Sequence, residues 1–433
     1  MEQKKLQKIW DVVVIGGGPA GMMCAGKAAE RGRAVLLLEK NSTLGKKLLI
    51  TGGGRCNVTN NKIEVREMLA KYKKSEQFLF SAFTQFGVSE TLKFFNNRGM
   101  ETKEEADGRM FPVSNRAQSV WDVLVSYMKK GGVTVRTKAE VSSITFDEVQ
   151  KQFVIKLSDK SEVVTLACTL ATGGVSRPET GSTGEGFRWL KKLGHKVIEN
   201  DVALVPIALK DSWPKKLAGV SLKDIKLTTF KNGVKQKAHK GKLLFTHVGI
   251  SGPTVLNMSR EVGELLDEEG SEYEEVSEKS LEKNEVKIML DLFPTTDSGA
   301  LREKLQGILV EQSNKKIKNV LSSLITPALV DPILELSNIN GDTPCHSVRT
   351  EERKTLVAIL KAIPLHVSGL LGKDKAVVSS GGVILDEVDF KTMQSRIFPK
   401  LFLIGDVLNI DRPSGGYSLQ LCWTTGYVAG NSC

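Results

Sequence analysis

The chain has 433 residues, 40% of them hydrophobic and 26% charged, with a formal net charge of +11 and a pI near 9.2. That balance excludes fibrous and disordered classes and implies a soluble α/β protein of two or three domains with a large buried core. The longest apolar runs, such as Val12–Ile15 and Val35–Leu38, are too short to span a bilayer.

The N-terminal residues MEQKKLQKIW are charged and carry no apolar leader core. Six scattered cysteines, none in a C-x-x-C pair, fit a reducing cytoplasm. The five histidines show no metal-ligand spacing, so no metal site is expected. The lysines are spread along the chain without an arginine-rich tract or an aromatic ladder, so no dedicated nucleic-acid site is expected. Oligomeric state has no signature in the sequence.

Val12–Ile15 is a short β-branched run that suits a buried parallel strand. Gly16, Gly18 and Gly21 follow as G-x-G-x-x-G, and Pro19–Glu30 reads as a helix. Ala34–Leu38 is a second buried strand that ends in Glu39, at the spacing of about 20 residues expected for a ribose-binding acid. Gly16 permits the tight turn, Gly18 the approach of a pyrophosphate, and Gly21 the close packing of helix on strand. The helix N-terminus offers free N–H groups to phosphate.

GKKLLITGGGRCNVTN (Gly45–Asn60) follows. Gly52-Gly53-Gly54 lets bare backbone run close to a cofactor, and Lys46, Lys47 and Arg55 suit phosphates or an anionic reduced ring. From about Glu64 to Asn97 the pattern is helical, with Leu69, Phe78, Phe80, Phe83 and Phe86 expected in the core. Gly108–Val113 breaks it, and Ala117–Lys130 is an amphipathic helix. Val133–Arg136 and Val141–Ile144 are strand-like, and Phe153–Leu157 and Val163–Leu166 form a hairpin. The strand through Leu170 ends in Thr172-Gly173-Gly174.

Short strands over 197–293 (Val202–Leu209, Ile225–Phe230, the turn Asn232-Gly233, Lys242–Phe245, Lys287–Leu292) predict a small inserted β domain. Glu261–Glu285 holds eleven acids against two lysines and reads as a solvated surface stretch. Residues 298–362 are helical. Ala376–Ser379 and Leu401–Ile404 are strands, the second ending in Gly405-Asp406, and Ser414-Gly415-Gly416-Tyr417 opens a final helix to about Ala429.

Each special turn follows a strand, so all can line the carboxyl edge of one sheet. A nicotinamide site explains only the first fingerprint. A flavin dinucleotide explains the C-terminal Gly-Asp and the glycine-led helix too: Asp406 faces a ribityl hydroxyl, and the helix dipole faces the ring edge that turns negative on reduction.

GKKLLITGGGRCNVTN, DGRMFPVSN (Asp107–Asn115), ATGGVSRPETGSTGEG (Ala171–Gly186), LLFTHVGISGP (Leu243–Pro253) and GDVLNIDRPSGGYSLQ (Gly405–Gln420) together resemble the HI0933-like flavoproteins. That family includes proteins described as NAD(FAD)-utilising dehydrogenases, aminoacetone oxidase and a bile-acid reductase. The resemblance implies an α/β, Rossmann-like FAD-binding domain of glutathione-reductase type (1–194 plus 366–433). An insert at 195–365 interrupts it, with a β-barrel at about 197–293 and a helical cap at about 294–365. Around FAD it places Gly16, Gly18, Pro19, Ala20, Gly21, Glu39, Lys40, Gly45, Lys46, Lys47, Gly52, Gly53, Gly54, Arg55, Cys56 and Asn57. It adds Val141, Thr172, Gly173, Gly405, Asp406, Gly415, Gly416, Tyr417, Ser418 and Leu419, with Val141 touching adenine through its backbone. The chain departs from the family in having Gly-Asp for Gly-Glu at 405–406 and Ser414–Ser418, preceded by Arg412-Pro413, for Thr-Gly-Gly-Tyr-Asn.

The expected function is an FAD-dependent oxidoreductase that moves a hydride between a small organic substrate and flavin N5, in a pocket between the flavin domain and the insert. With one G-x-G-x-x-G, either oxygen reoxidises the flavin, as in an aminoacetone-type amine oxidase, or NAD(P)H docks transiently as donor. His247 and Tyr417 are the candidate catalytic residues, and a histidine hydrogen-bonded in the barrel and a core tyrosine behind the helix are the structural alternatives. Cys56 fits a redox thiol or an inert buried one. The alternatives are an FAD-dependent RNA-modifying factor and a non-catalytic flavin-binding protein.

Overall fold

A computed structural model describes residues 8–198, 204–267, 285–371 and 381–433. The chain divides into two compact units, Met1–Val202 with Ala376–Cys433, and Ala203–Lys375.

In the first unit the apolar strand Ile9–Ile15 lies between two parallel neighbours, Val35–Leu38 and Glu162–Leu170. Thr134–Arg136 extends the sheet beyond Val35–Leu38. On the far side Glu162–Leu170 is shared: its first half pairs antiparallel with Gln152–Leu157, and its last residues pair in parallel with Leu401–Leu403. Val141–Asp147 closes that edge. Val12, Val13 and Val14 are fully buried, as a parallel strand covered on both faces requires. The covering helix Pro19–Glu30 lies against the C-terminal helix Tyr417–Ser432, where a side chain at Gly426 would strike the Ala20 carbonyl and one at Gly430 the Cys24 carbonyl. This packing draws the last segment of the chain against the first.

The second unit is a closed antiparallel barrel. Its order is Ile207–Leu209, Gly249–Ser251, Val234–Phe245, Ser221–Lys231, Val286–Asp291 and Ile363–Leu370. Asn232 and Gly233, both at positive φ, make the tight turn that their sequence predicts. The helices Ser298–Glu311, Ile317–Leu324, Val330–Leu336 and Thr350–Lys361 share one hydrophobic core with the barrel.

The structure differs from the sequence expectation at several places. Ile363–Leu370 is a barrel strand, so the insert extends past 366; barrel closure needs a sixth strand, supplied after the helices. Val197–Ile198 pairs with Gly382–Val383 inside the first unit rather than opening the barrel. Phe80 is exposed, because the helix Glu76–Gln85 buries Leu79, Ala82 and Phe83 instead. Gly108–Val113 is more than a helix break: Asp107 and Gly108, both at positive φ, turn Thr102–Glu105 back on Arg109–Pro112, which also pairs with Thr59–Asn60. The predicted strand Ala376–Ser379, the start of Val202–Leu209 and most of the acidic stretch Glu261–Glu285 lie outside the described residues. Among the described residues no helix is long and apolar enough to cross a membrane.

Candidate functional site

The candidate site lies at the carboxyl ends of the parallel strands of the first unit. The three fingerprint glycines meet different surroundings. A Cβ on Gly16 would collide with the Ala171 carbonyl, and one on Gly21 with the Gly16 carbonyl, so both are required by packing. At Gly18 no protein atom stands within 4 Å of where a Cβ would be, which leaves open space before the first turn of Pro19–Glu30. Pro19 opens that helix, and Ala20, next to it, is buried against Gly405.

Glu39 is buried at the end of its strand and is held from both sides. Its Oε2 accepts from Gly17 N at 2.8 Å, and its Oε1 accepts from Asn41 N and Nδ2, each at 2.8 Å. Ala139 N donates to the Glu39 carbonyl at 2.9 Å, which brings the strand beginning at Val141 beside it. Lys40 turns away to Glu185 at 2.9 Å and Thr183 at 2.8 Å.

Gly45, at φ 64, caps the short helix Lys46–Ile50 and donates to the Gly17 carbonyl at 2.8 Å. Gly52, Gly53 and Gly54 follow at φ 57, 68 and 83, a left-handed run that only glycine adopts without strain. All three are exposed, and Gly53 and Gly54 have open space where a Cβ would stand. The three nearby cations are engaged with protein groups. Lys46 Nζ donates to the Glu179 carbonyl at 2.9 Å, and Lys47 Nζ to the carbonyl and hydroxyl of Ser176. Arg55 pairs with Glu105 and Asn115 and lies over the Phe111 ring. These cations therefore order the loop walls, where the sequence reading places them on phosphates or a reduced ring. Cys56 is buried and its pKa is pushed up to about 12, so the reading as a redox thiol loses to the inert one.

Two polar atoms of these segments stay buried without a hydrogen-bond partner: Asn57 Oδ1, in the loop after the glycines, and Thr172 Oγ1, after the strand through Leu170. Buried polar atoms are rarely left so. Both belong to segments read from the sequence as cofactor-binding, and Gly173, next to Thr172, stands at φ 73. The open space at Gly18 and these two orphaned oxygens fit an extended, polar dinucleotide.

The C-terminal segment is fixed onto this edge by a buried network. Gln420 Nε2 donates to the Gly87 carbonyl and to the hydroxyls of Thr91 and Thr424, while its Oε1 accepts from Thr59 at 2.6 Å. Trp423 Nε1 donates to the Val58 carbonyl at 2.9 Å. Gly416 lies so close to Thr59 and Asn60 that a Cβ would collide with their backbone. Asn60 Nδ2 reaches the Gly415 carbonyl at 3.2 Å. The N-terminus of Tyr417–Ser432 is left without a side-chain cap. Ser418 and Leu419 occupy its first turn, and Ser418 Oγ accepts from Arg412 Nε. Tyr417 is buried, stands edge-on to Tyr72, and its phenol pKa is raised by burial. Gly405 N donates to Thr425 Oγ1 at 3.0 Å, and Asp406 pairs with Arg412, whose side chain is 1% exposed.

The structure thus brings together the sequence-predicted residues from Gly16 to Asn57, Val141, Thr172-Gly173 and 405–419 in one unit. His247 lies in the other, as an exposed turn residue after Phe245. Sequence reasoning missed Arg412 as a site residue. Its burial shows only in the fold, although its position between Gly405-Asp406 and Gly415-Gly416 marked it as a departure from the family pattern.

The model of the HI0933-like protein Rossmann domain matches residues 10–432. The chain is 30% identical over 431 residues to the ribosomal RNA dihydrouridine synthase of Escherichia coli, covering 97% of this chain and 96% of that protein. It is also 30% identical to the 3-dehydro-bile acid delta(4,6)-reductase of Clostridium scindens, covering 97% and 98%. Among solved structures it resembles the 3-ketosteroid delta1-dehydrogenase of Sterolibacterium denitrificans, with TM-score 0.55, 12% identity and coverage of 98% and 99%. The 3-ketosteroid-delta4-(5alpha)-dehydrogenase of Rhodococcus jostii RHA1 gives TM-score 0.52, 15% identity and coverage of 99% and 98%. At these identities the two structures establish a shared fold. With its Rossmann fingerprint and a family match along almost its whole length, this chain belongs to the HI0933-like family and is an FAD-dependent oxidoreductase.

Proposed function

We propose that this protein reduces a carbon–carbon double bond conjugated with a carbonyl group. The observation that carries the reading is the agreement of two full-length relatives. Dihydrouridine is uridine with two hydrogens added across the ring double bond next to a carbonyl. Delta(4,6) reduction of a 3-dehydro bile acid acts on double bonds conjugated with the ketone. Both names describe one chemistry on different carriers, and of the two routes expected from the sequence this reading takes the NAD(P)H-dependent reductase over the amine oxidase.

In this reading FAD is held by Gly18, Glu39, the Gly52–Asn57 loop, Thr172-Gly173, Asp406 and the N-terminus of Tyr417–Ser432. Bound FAD supplies the two-electron chemistry, with NAD(P)H as the external reductant. The residues supply the rest. Tyr417, kept protonated by burial, holds the proton that the substrate carbon next to the carbonyl must receive. The uncapped helix N-terminus would face the edge where negative charge develops.

The test is an anaerobic half-reaction. Holoprotein reduced with NADPH or dithionite is mixed with a conjugated 3-keto bile acid or with a uridine-containing oligoribonucleotide. Return of the oxidised flavin spectrum with formation of the saturated product is the expected result. Bleaching of the oxidised protein by aminoacetone, with no reoxidation by any conjugated acceptor, would contradict it.

A specific observation favours uracil in RNA as the carrier. The barrel hairpin Ser221–Phe245 holds seven lysines against the single acid Asp224. Lys226 stands directly opposite Lys240, an arrangement that destabilises a strand pair unless an anion offsets it. Asp291, 3.5 Å from Lys226, offsets part of that charge, and an RNA phosphate would offset the remainder. The half-buried Phe230 lies between Lys235 and Lys287, the latter paired with Glu285 at 2.6 Å, so an aromatic ring stands beside Lys235.

A further inference from the structure

We propose that Arg109 binds the carbonyl oxygen of the conjugated acceptor and stabilises the negative charge that gathers there during reduction. The proposal deepens the reading of the reaction as conjugate reduction and rests on it.

The segment DGRMFPVSN supplies the middle strand of a three-stranded sheet, Thr59–Asn60, Arg109–Pro112 and Thr102–Glu105. The two faces of this sheet look in different directions. Thr59 stands opposite Met110, and its hydroxyl turns to the buried Gln420 amide. Asn60 stands opposite Arg109, so both side chains leave the other face, and Phe111, two residues on, leaves it as well. That second face looks onto segments assigned to the flavin. Asn60 Nδ2 donates to the Gly415 carbonyl at 3.2 Å and to the Asp107 carbonyl at 2.9 Å. A Cβ on Gly415 would stand 3.5 Å from Tyr417 Cε2, and one on Gly52 would stand 3.3 Å from the Phe111 ring. Arg109 therefore extends from the same row as the side chain that seats Gly415, between the glycine loop and the residue proposed to hold the proton.

Its guanidinium is only lightly engaged. The side chain is 24% exposed, and among the described residues its one hydrogen bond runs to Asp107 Oδ2 at 3.2 Å, on a side chain that is itself 68% exposed. An exposed pair of this kind holds an arginine weakly and leaves most of its N–H donors to a ligand. The neighbouring cations differ: Lys46 and Lys47 end on backbone carbonyls, and Arg55 on Glu105 and Asn115.

Both carriers named above present a carbonyl conjugated with the bond to be reduced. A hydride from the NAD(P)H-derived pair adds to the carbon farther from the carbonyl. The double-bond electrons move toward the carbonyl oxygen, which becomes an enolate oxygen. Tyr417 then gives its proton to the carbon next to the carbonyl, the carbonyl re-forms, and the phenolate recovers a proton from solvent. A guanidinium on that oxygen gains strength as the charge grows, so its contribution falls on the rate more than on binding.

The experiment uses FAD-loaded protein and whichever acceptor, conjugated 3-keto bile acid or uridine-containing oligoribonucleotide, reoxidises the reduced unaltered chain. Arg109→Met is expected to lower the saturating rate of flavin reoxidation by about 10²–10³-fold. KM should change far less, and the flavin spectrum and reoxidation by oxygen should be kept. Guanidinium added to Arg109→Ala should restore part of the rate. With the acceptor carbonyl labelled with ¹³C, the infrared difference spectrum of its complex with oxidised protein should show that band below its position in water. The shift should vanish in Arg109→Met. An Arg109→Met protein that retains FAD and reacts within about threefold of the unaltered rate overturns the proposal. Should that variant lose FAD, the unaltered protein decides: a carbonyl band left at its position in water overturns the proposal, and a lowered one supports it. If no conjugated acceptor reoxidises the unaltered protein, the reading of the reaction itself falls, and this proposal with it.

Discussion

In the proposed FAD site one carboxylate, Glu39, serves architecture and ligand together. Both oxygens already accept backbone or side-chain N–H groups, yet each oxygen has further acceptor capacity that can face a ribose hydroxyl. Glu39→Ala removes charged hydrogen bonds worth about 1.5–3 kcal/mol each, so FAD affinity is expected to fall at least tenfold in equilibrium dialysis at limiting cofactor. In the proposed reaction Tyr417 is the residue on which the proton step rests. Tyr417→Phe is expected to slow product formation by about 10²–10⁴ while the bound-flavin spectrum is retained; an unchanged rate removes the proposed role. Burial raises the phenol above its ordinary value of 10.0, so the proton-holding form persists through neutral and mildly alkaline pH. The rate should accordingly show no alkaline fall assignable to Tyr417 through neutral and mildly alkaline pH. Cys56, Cys168 and Cys422, whose pKa values burial pushes up to about 12, should resist alkylation in the folded protein at pH 8.

Among the elements, the C-terminal helix has the heaviest positioning duty. Gln420 is a fully satisfied buried amide that ties it to Gly87, Thr91 and Thr59. Gln420→Leu leaves the buried Thr59 hydroxyl without its short acceptor, at about 1–3 kcal/mol, while the Gly87 carbonyl keeps its bonds from Thr91. Denaturant unfolding should register the loss, and FAD affinity should weaken with it because Thr59 and Asn60 seat Gly416. The barrel hairpin carries the prediction on substrate. Lys226→Glu with Lys240→Glu should weaken binding of a labelled oligoribonucleotide and lower its salt dependence by about one unit for each phosphate no longer neutralised. The flavin spectrum should stay the same. Salt-insensitive binding equal to the unaltered chain would leave the small-molecule carrier as the better reading.

At the scale of the molecule, much of the cofactor unit was legible in the sequence. The β-branched run before Gly16, the acid at Glu39 and the Gly405-Asp406 turn each carry a local signal that survives folding. The Ala117–Lys130 helix has its expected bounds because its apolar stripe and the glycines after it agree. What stayed hidden depends on how distant segments meet. The barrel's sixth strand, Ile363–Leu370, follows the helices and pairs with residues far earlier in the chain, which no local pattern announces. Nor does composition distinguish the enclosed Arg412 from a surface arginine, or show that Lys46, Lys47 and Arg55 would turn to carbonyls and to Glu105. Because FAD would join segments from both ends of the chain, it should stabilise the fold by mass action, about 2.7 kcal/mol at a hundredfold excess over Kd. A melting temperature independent of FAD concentration would count against that linkage.

The most direct test of the central claim is single-turnover mixing under argon of NADPH- or dithionite-reduced holoprotein with an acceptor whose double bond is conjugated to a carbonyl. The account predicts that the oxidised flavin band returns at a rate that saturates with acceptor, one saturated product forming per flavin. A band that stays bleached with every such acceptor and returns only when air is admitted would contradict it.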